Sequence, residues 1–208
     1  MMTANFVSII QIAIAAVLIQ NFVLARFLGL CPFLGVSKKL SSATGMGMAV
    51  VFVMTVSTMF TYWIDATVLI PYHVEYLRTI VFILVIASLV QLLEMFLQKF
   101  SPALYEALGI YLPLMATNCA ILGVAIINTG VNQFTGEQFT FVESVVNGAA
   151  SGVGFLLALV LMAGLQERLE FADTPKALKG LPIAFITAGL MALAFLGFVG
   201  LSFFPAGG

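Results

Sequence analysis

Six apolar stretches, each near the length of a bilayer-crossing helix, alternate along the chain with short polar breaks. They run roughly over 5–25, 44–64, 78–98, 103–127, 142–163 and 181–204, and each meets the need for about 20 apolar residues where no water can satisfy the backbone. The breaks carry turn and loop residues: Ser37-Lys38-Lys39 with Ser41-Ser42, Ile70-Pro71-Tyr72-His73, Phe100-Ser101-Pro102, Asn128-Thr129-Gly130, and a charged run from Glu167 to Lys179. No stretch remains for a separate soluble domain, so 1–208 reads as one membrane domain. The first stretch lacks a basic leader and stays apolar into Phe27–Val36, so it reads as a retained span rather than a signal peptide.

Composition sharpens this picture. Of 208 residues, 62% are hydrophobic and 8% charged, against about a quarter charged in a soluble domain. Eight basic and nine acidic residues give a net charge of −1, which is no footprint of a nucleic-acid binder. Two cysteines and one histidine cannot close a four-ligand zinc site within one chain. Any metal here needs ligands from elsewhere.

Basic residues give the orientation, because cytoplasmic loops are enriched in them. Lys38, Lys39, Lys99, Arg168, Lys176 and Lys179 share the side of the first, third and fifth loops, while the other side carries only Arg78. Both termini and the 128–141 loop are therefore expected outside.

The two halves resemble each other. Cys31-Pro-Phe-Leu-Gly-Val-Ser37 matches Cys119-Ala-Ile-Leu-Gly-Val-Ala125 as C-x-x-L-G-V-(S/A), and Ala43-Thr-Gly-Met-Gly47 matches Ala150-Ser-Gly-Val-Gly154 as A-(S/T)-G-x-G. The order is kept. From the cysteine to the first glycine of the second motif is 14 residues in one half and 33 in the other, and the extra 19 fit the longer loop after Asn128. Three spans per half is odd, so the second half enters the membrane in the opposite sense. The fold expected is all-α, with six transmembrane helices as two inverted three-helix repeats, about 1–99 and about 100–208. Inverted repeats place functional groups on discontinuous helices marked by Gly and Pro. Gly29, Pro32 and Gly35 flank Cys31, and Pro113 and Gly123 flank Cys119, so breaks are expected near both cysteines. Phe6 to Ser37 as one helix would reach about 48 Å at 1.5 Å per residue, well past a core of roughly 30 Å.

From the residues alone, the cysteines have three readings: small buried hydrophobes, a disulfide within about 7 Å between Cα atoms, or two of the four thiolates of an iron–sulfur cluster completed by another chain. Arg26, inside the overlong first segment, is a functional candidate or a snorkelling side chain paired with an acid such as Glu94. Gln91 and Glu94 lie three apart on one face of the third span, which makes Glu94 either an ion-uptake carboxylate or a helix-end acid paired with Lys99 or Arg26.

The stretch Asn21-Phe-Val-Leu-Ala-Arg-Phe-Leu-Gly-Leu-Cys31-Pro-Phe-Leu-Gly-Val-Ser-Lys-Lys-Leu40, the run Tyr76-Leu-Arg-Thr-Ile-Val-Phe-Ile-Leu-Val-Ile86, and Leu112-Pro-Leu-Met-Ala-Thr-Asn-Cys119-Ala-Ile-Leu-Gly-Val-Ala125 resemble the membrane subunits of the Rnf and Nqr ion-translocating oxidoreductases. The likeness covers nearly the whole chain. Its wording around the cysteines is closer to the A-type subunits of Rnf, a ferredoxin:NAD oxidoreductase of the prokaryotic cytoplasmic membrane, than to the E-type subunits of the sodium-pumping NADH:quinone oxidoreductase. The resemblance implies six spans, a homologous RnfE-type sister subunit of opposite topology, and an intramembrane [2Fe–2S] cluster held by four cysteines of the pair, here Cys31 and Cys119. It implies that the cluster relays electrons between the cytoplasmic side and flavins on partner subunits, coupled to Na⁺ or H⁺ movement. No flavin-attachment or multi-cysteine ferredoxin motif of the family occurs in this sequence, so FMN, NAD and [4Fe–4S] centres are expected on partners of the RnfB, RnfC, RnfD and RnfG types. A thiolate is costly in hydrocarbon but charge-compensated on iron.

Two other classes compete. A secondary transporter also uses inverted repeats, but it needs a polar midplane site, and polar residues within the spans are sparse: Thr55, Ser57, Thr58, Ser88, Gln91, Thr117, Asn118 and Thr187. A structural scaffold would need neither cysteine.

Overall fold

The computed structural model describes residues 9–37, 39–100, 115–130, 138–171, 175 and 179–199. Among these residues the regular structure is helical: α1 Ile9–Ile19, α2 Leu30–Val36, α3 Leu40–Ile64, α4 Arg78–Phe100, α5 Cys119–Ile127, α6 Phe141–Glu170 and α7 Leu181–Val199. The expected all-α membrane architecture is present. Helices α3, α4, α6 and α7 are each long and apolar enough to cross a bilayer.

The first expected span, 5–25, is not one helix. α1 ends in a π-turn at Ala15–Ile19, where the Gln20 N–H reaches the Ala15 carbonyl, and ten residues then run without regular structure before α2. The reason lies in residues 20–29. Phe27 and Gly29 both take positive φ, +55° and +82°, which an α-helix cannot contain. The Asn21 side chain replaces the lost ladder: its Oδ1 accepts from the Val23 and Leu24 N–H groups, and its Nδ2 donates to the Gly154 carbonyl of α6 at 2.7 Å. In the fourth expected span, 103–127, residues 103–114 with Pro113 lie outside the described residues. Its described part bends at Thr117-Asn118 before α5 starts.

Both breaks precede their cysteines. Gly35 and Gly123, expected to help interrupt the helices, sit inside continuous α2 and α5. Pro32 falls in the first turn of α2, where its missing N–H breaks no bond. The charged run from Glu167 is a loop only in part, because α6 continues to Glu170; Gln, Glu, Arg and Leu are all good helix formers. α6 opens with a capping box, Thr140 with Glu143.

α3 and α6 form the centre. In their spanning windows 44% and 56% of residues are buried, against 17% and 22% for α4 and α7, which turn apolar surface outward. Small residues set the α3–α6 approach. A Cβ on Gly47 would meet Leu156, one on Gly152 would lie 2.8 Å from the Val51 Cα, and one on Gly148 would meet Thr58. Rising numbers on α3 against falling numbers on α6 make the two antiparallel. Phe33, Met46, Met54, Phe82, Phe155, Leu159 and Met162 fill the core around this crossing.

Polar groups tie the ends. At one end the Glu167 carboxylate accepts from the Leu40 N–H at 3.1 Å. At the other, Arg78 forks onto Asp65, Nε to Oδ1 at 2.8 Å, while Asn147 donates to Asn128 and Asn128 to the Ser144 carbonyl. Tyr62, Asp65, Arg78, Asn128, Thr129 and Gln138 contribute to the wall of a polar cavity of about 240 Å³ there.

Candidate functional site

Two short helices each present a cysteine at or beside their first residue. Cys119 opens α5, and Cys31 is second in α2. The Gly29 N–H donates to the Cys119 Sγ at 2.9 Å, and Gly29 is only two residues from Cys31. The structure thus brings the two cysteine-bearing segments of opposite halves together. Both thiols are free and exposed in this chain, with no disulfide between them.

Backbone conformation makes the approach fit. At φ +82° Gly29 needs no Cβ, and a Cβ built there would lie 2.8 Å from Phe155 Cε2, 3.0 Å from Asn118 Oδ1 and 3.1 Å from Ala120 Cβ. Asn118 caps α5, its Oδ1 accepting from the Ala120 N–H at 3.0 Å. The Asn118 Nδ2 is buried with no hydrogen-bond partner.

Among the described residues no three His, Cys, Asp or Glu side chains gather as a metal site, and a [2Fe–2S] centre takes four ligands, so Cys31 and Cys119 alone would leave such a centre two ligands short. Both thiols face outward, where a second protein can reach them, and an N–H donor already points at one sulfur.

The other candidates stand apart. Arg26 is exposed; its guanidinium donates to Gln20 Oε1 at 3.3 Å and lies 5.4 Å from the Phe22 ring centroid. Among the described residues no ion pair joins it to Glu94. Glu94 is half-buried and Gln91 exposed, both on α4, and no hydrogen bond links either to the cysteines among the described residues. Sequence reasoning missed Asn21 and the roles of Asn118 and Gly29. The signal available was an asparagine ten residues before one cysteine and another immediately before the second.

Residues 9–202 match the family model described as "Rnf-Nqr subunit, membrane protein". The chain belongs to the Rnf-Nqr family of membrane subunits. It is 55% identical over 194 residues to the A subunit of the Na⁺-translocating ferredoxin:NAD⁺ oxidoreductase complex of Acetobacterium woodii, covering 93% of this chain and 98% of that one. It is 57% identical over 194 residues to the A subunit of the ion-translocating oxidoreductase complex of Syntrophotalea carbinolica (93% and 97% covered) and 54% identical over 192 residues to its namesake from Vibrio vulnificus (92% and 97% covered).

Proposed function

We propose that this chain is the A-type membrane subunit of a redox-driven ion pump, a ferredoxin:NAD oxidoreductase coupled to Na⁺ or H⁺ movement, and that Cys31 and Cys119 ligate a [2Fe–2S] cluster shared with a homologous sister subunit. The observation that carries the reading is the part-buried hydrogen bond from the Gly29 N–H to the Cys119 Sγ, which joins the segments that carry the two exposed cysteines. Relatives named as the A subunits of such complexes support the assembly.

When bound, the cluster supplies a one-electron station within the membrane. This chain would supply two cysteine sulfurs at helix starts, and the Gly29 N–H donates to one of them. FMN, NAD and [4Fe–4S] chemistry belongs to partner subunits. We assign the end carrying Lys39, Lys99, Arg168 and Lys179 to the cytoplasm, with both termini outside the inner membrane. The antiparallel α3 and α6, each carrying an A-(S/T)-G-x-G motif, support two inverted repeats.

The test is electron transfer in the assembled complex. Cys31→Ser and Cys119→Ser should each lower ferredoxin-to-NAD⁺ turnover by about tenfold or more, since even altered outer contacts of a metal site cost that much, and coupled ion uptake into vesicles should fall with it. Turnover and uptake at wild-type levels would overturn the assignment.

A further inference from the structure

The α3–α6 crossing changes character along its length. On α3, Ser57 and Thr61 precede Asp65 at helical spacing, and on α6 Ser144, Asn147 and Ser151 share one face; all six are buried. That face of α6 also carries Gly148, and it looks onto α3, because a Cβ on Gly148 would meet Thr58. The seam joins the polar cavity at the end of the bundle. Asp65 and Asn128 both line that cavity, Asn147 donates to the Asn128 Oδ1 at 2.7 Å, and Asn128 donates to the Ser144 carbonyl at 3.1 Å. Beyond Ser57 and Ser151 the buried faces turn apolar, with Met46, Val50 and Met54 on α3 and Phe155, Leu159 and Met162 on α6.

Three hydroxyls of this seam have no hydrogen-bond partner among the described residues: those of Ser57, Ser144 and Ser151, at 0%, 0% and 1% exposure. Their neighbours Thr58 and Thr61 donate to carbonyls of their own helix, and the serines do not. A buried hydroxyl without a partner is unfavourable, most of all in a span where lipid supplies none, and buried water is what satisfies such groups in protein interiors. The adjoining cavity of about 240 Å³ has room for several water molecules. We propose that the α3–α6 seam binds water, as a file that enters from the Asp65–Arg78 cavity and ends at the apolar turns beyond Ser57 and Ser151. From Asp65 to Ser57 it runs about 12 Å at 1.5 Å per residue, which brings water near the middle of the Leu40–Leu69 span. The crossing is thus wet toward one end and dry toward the other, so the centre of the chain has aqueous contact with one face of the membrane only.

The test is radiolytic footprinting of the purified complex, in which a short X-ray exposure makes hydroxyl radicals from water where it lies and mass spectrometry finds the side chains they oxidise. A thiol is a sensitive target, and cysteine differs from serine by one atom. Ser57→Cys and Ser151→Cys should each be oxidised at the new thiol several-fold faster than Ala158→Cys, which puts a thiol at an equally buried site, 0% exposed, on the apolar part of α6. The two seam sites lie on different helices, so either variant that assembles is enough to decide. Oxidation at the Ala158→Cys rate in an assembled seam variant would show the crossing to be dry and would overturn the proposal. Neither outcome depends on what Cys31 and Cys119 bind.

Discussion

Gly29 and Cys119, 90 residues apart in the chain, meet through a backbone N–H donating to a thiol sulfur at 2.9 Å. The contact exists because Gly29 turns at φ +82° at the start of α2, just as Asn118 turns the chain into α5. Two helix breaks, one in each half, thereby become one place.

Gly29→Ala should damage that place. A left-handed backbone costs a residue with a Cβ about 1–2 kcal/mol, and the new methyl would press on Phe155 at 2.8 Å. The variant complex should melt at lower temperature in detergent and retain less iron. Gly35→Ala, whose Cβ would meet nothing within 4 Å, should behave as wild type; equal behaviour of the two variants would contradict the geometry.

The α3–α6 crossing gives a second contrast. Gly152→Ala would set a methyl 2.8 Å from the Val51 Cα, a backbone atom that can yield only if a helix moves, whereas Gly164→Ala on the same helix meets nothing within 4 Å. Thermal stability of the purified complex should drop for Gly152→Ala and hold or rise slightly for Gly164→Ala, because Ala is the better helix former.

Asp65 and Arg78 close the polar end of the bundle. Their side chains are 10% and 23% exposed, so Asp65→Asn strands a guanidinium that little water reaches, at a cost of about 1–3 kcal/mol. The double variant Asp65→Asn, Arg78→Gln should cost less than the two single losses together in melts of the complex, as expected for residues in direct contact. Strict additivity would show that the pair contributes no coupling.

Topology is open to a direct check. A reporter enzyme active only in the cytoplasm should be silent when fused after Gly208 and active when inserted beside Lys179. The reverse pattern would contradict the orientation drawn from the basic residues.

The long helices were legible because twenty apolar residues in a row have few other uses, and the first break because Phe6–Ser37 is too long for one straight span. Other features were not legible. No residue type marks the π-turns at Ala15–Ile19 and Asp65–Leu69. Asn21 and Asp65 read in sequence as isolated polar residues, since each finds its role with a neighbour that folding supplies: Gly154 for Asn21 and Arg78 for Asp65. The cysteines stood out by symmetry, yet their exposure, which admits ligands from a second chain, is visible only in the fold.

Iron counting combined with electron paramagnetic resonance on the purified complex tests the central assignment most directly. Wild-type complex should show a membrane [2Fe–2S] signal beyond the centres of the partner subunits, and Cys31→Ser or Cys119→Ser should remove that signal with about two iron atoms per complex while the partner centres remain. An unchanged signal and iron count in both variants would contradict ligation by these cysteines.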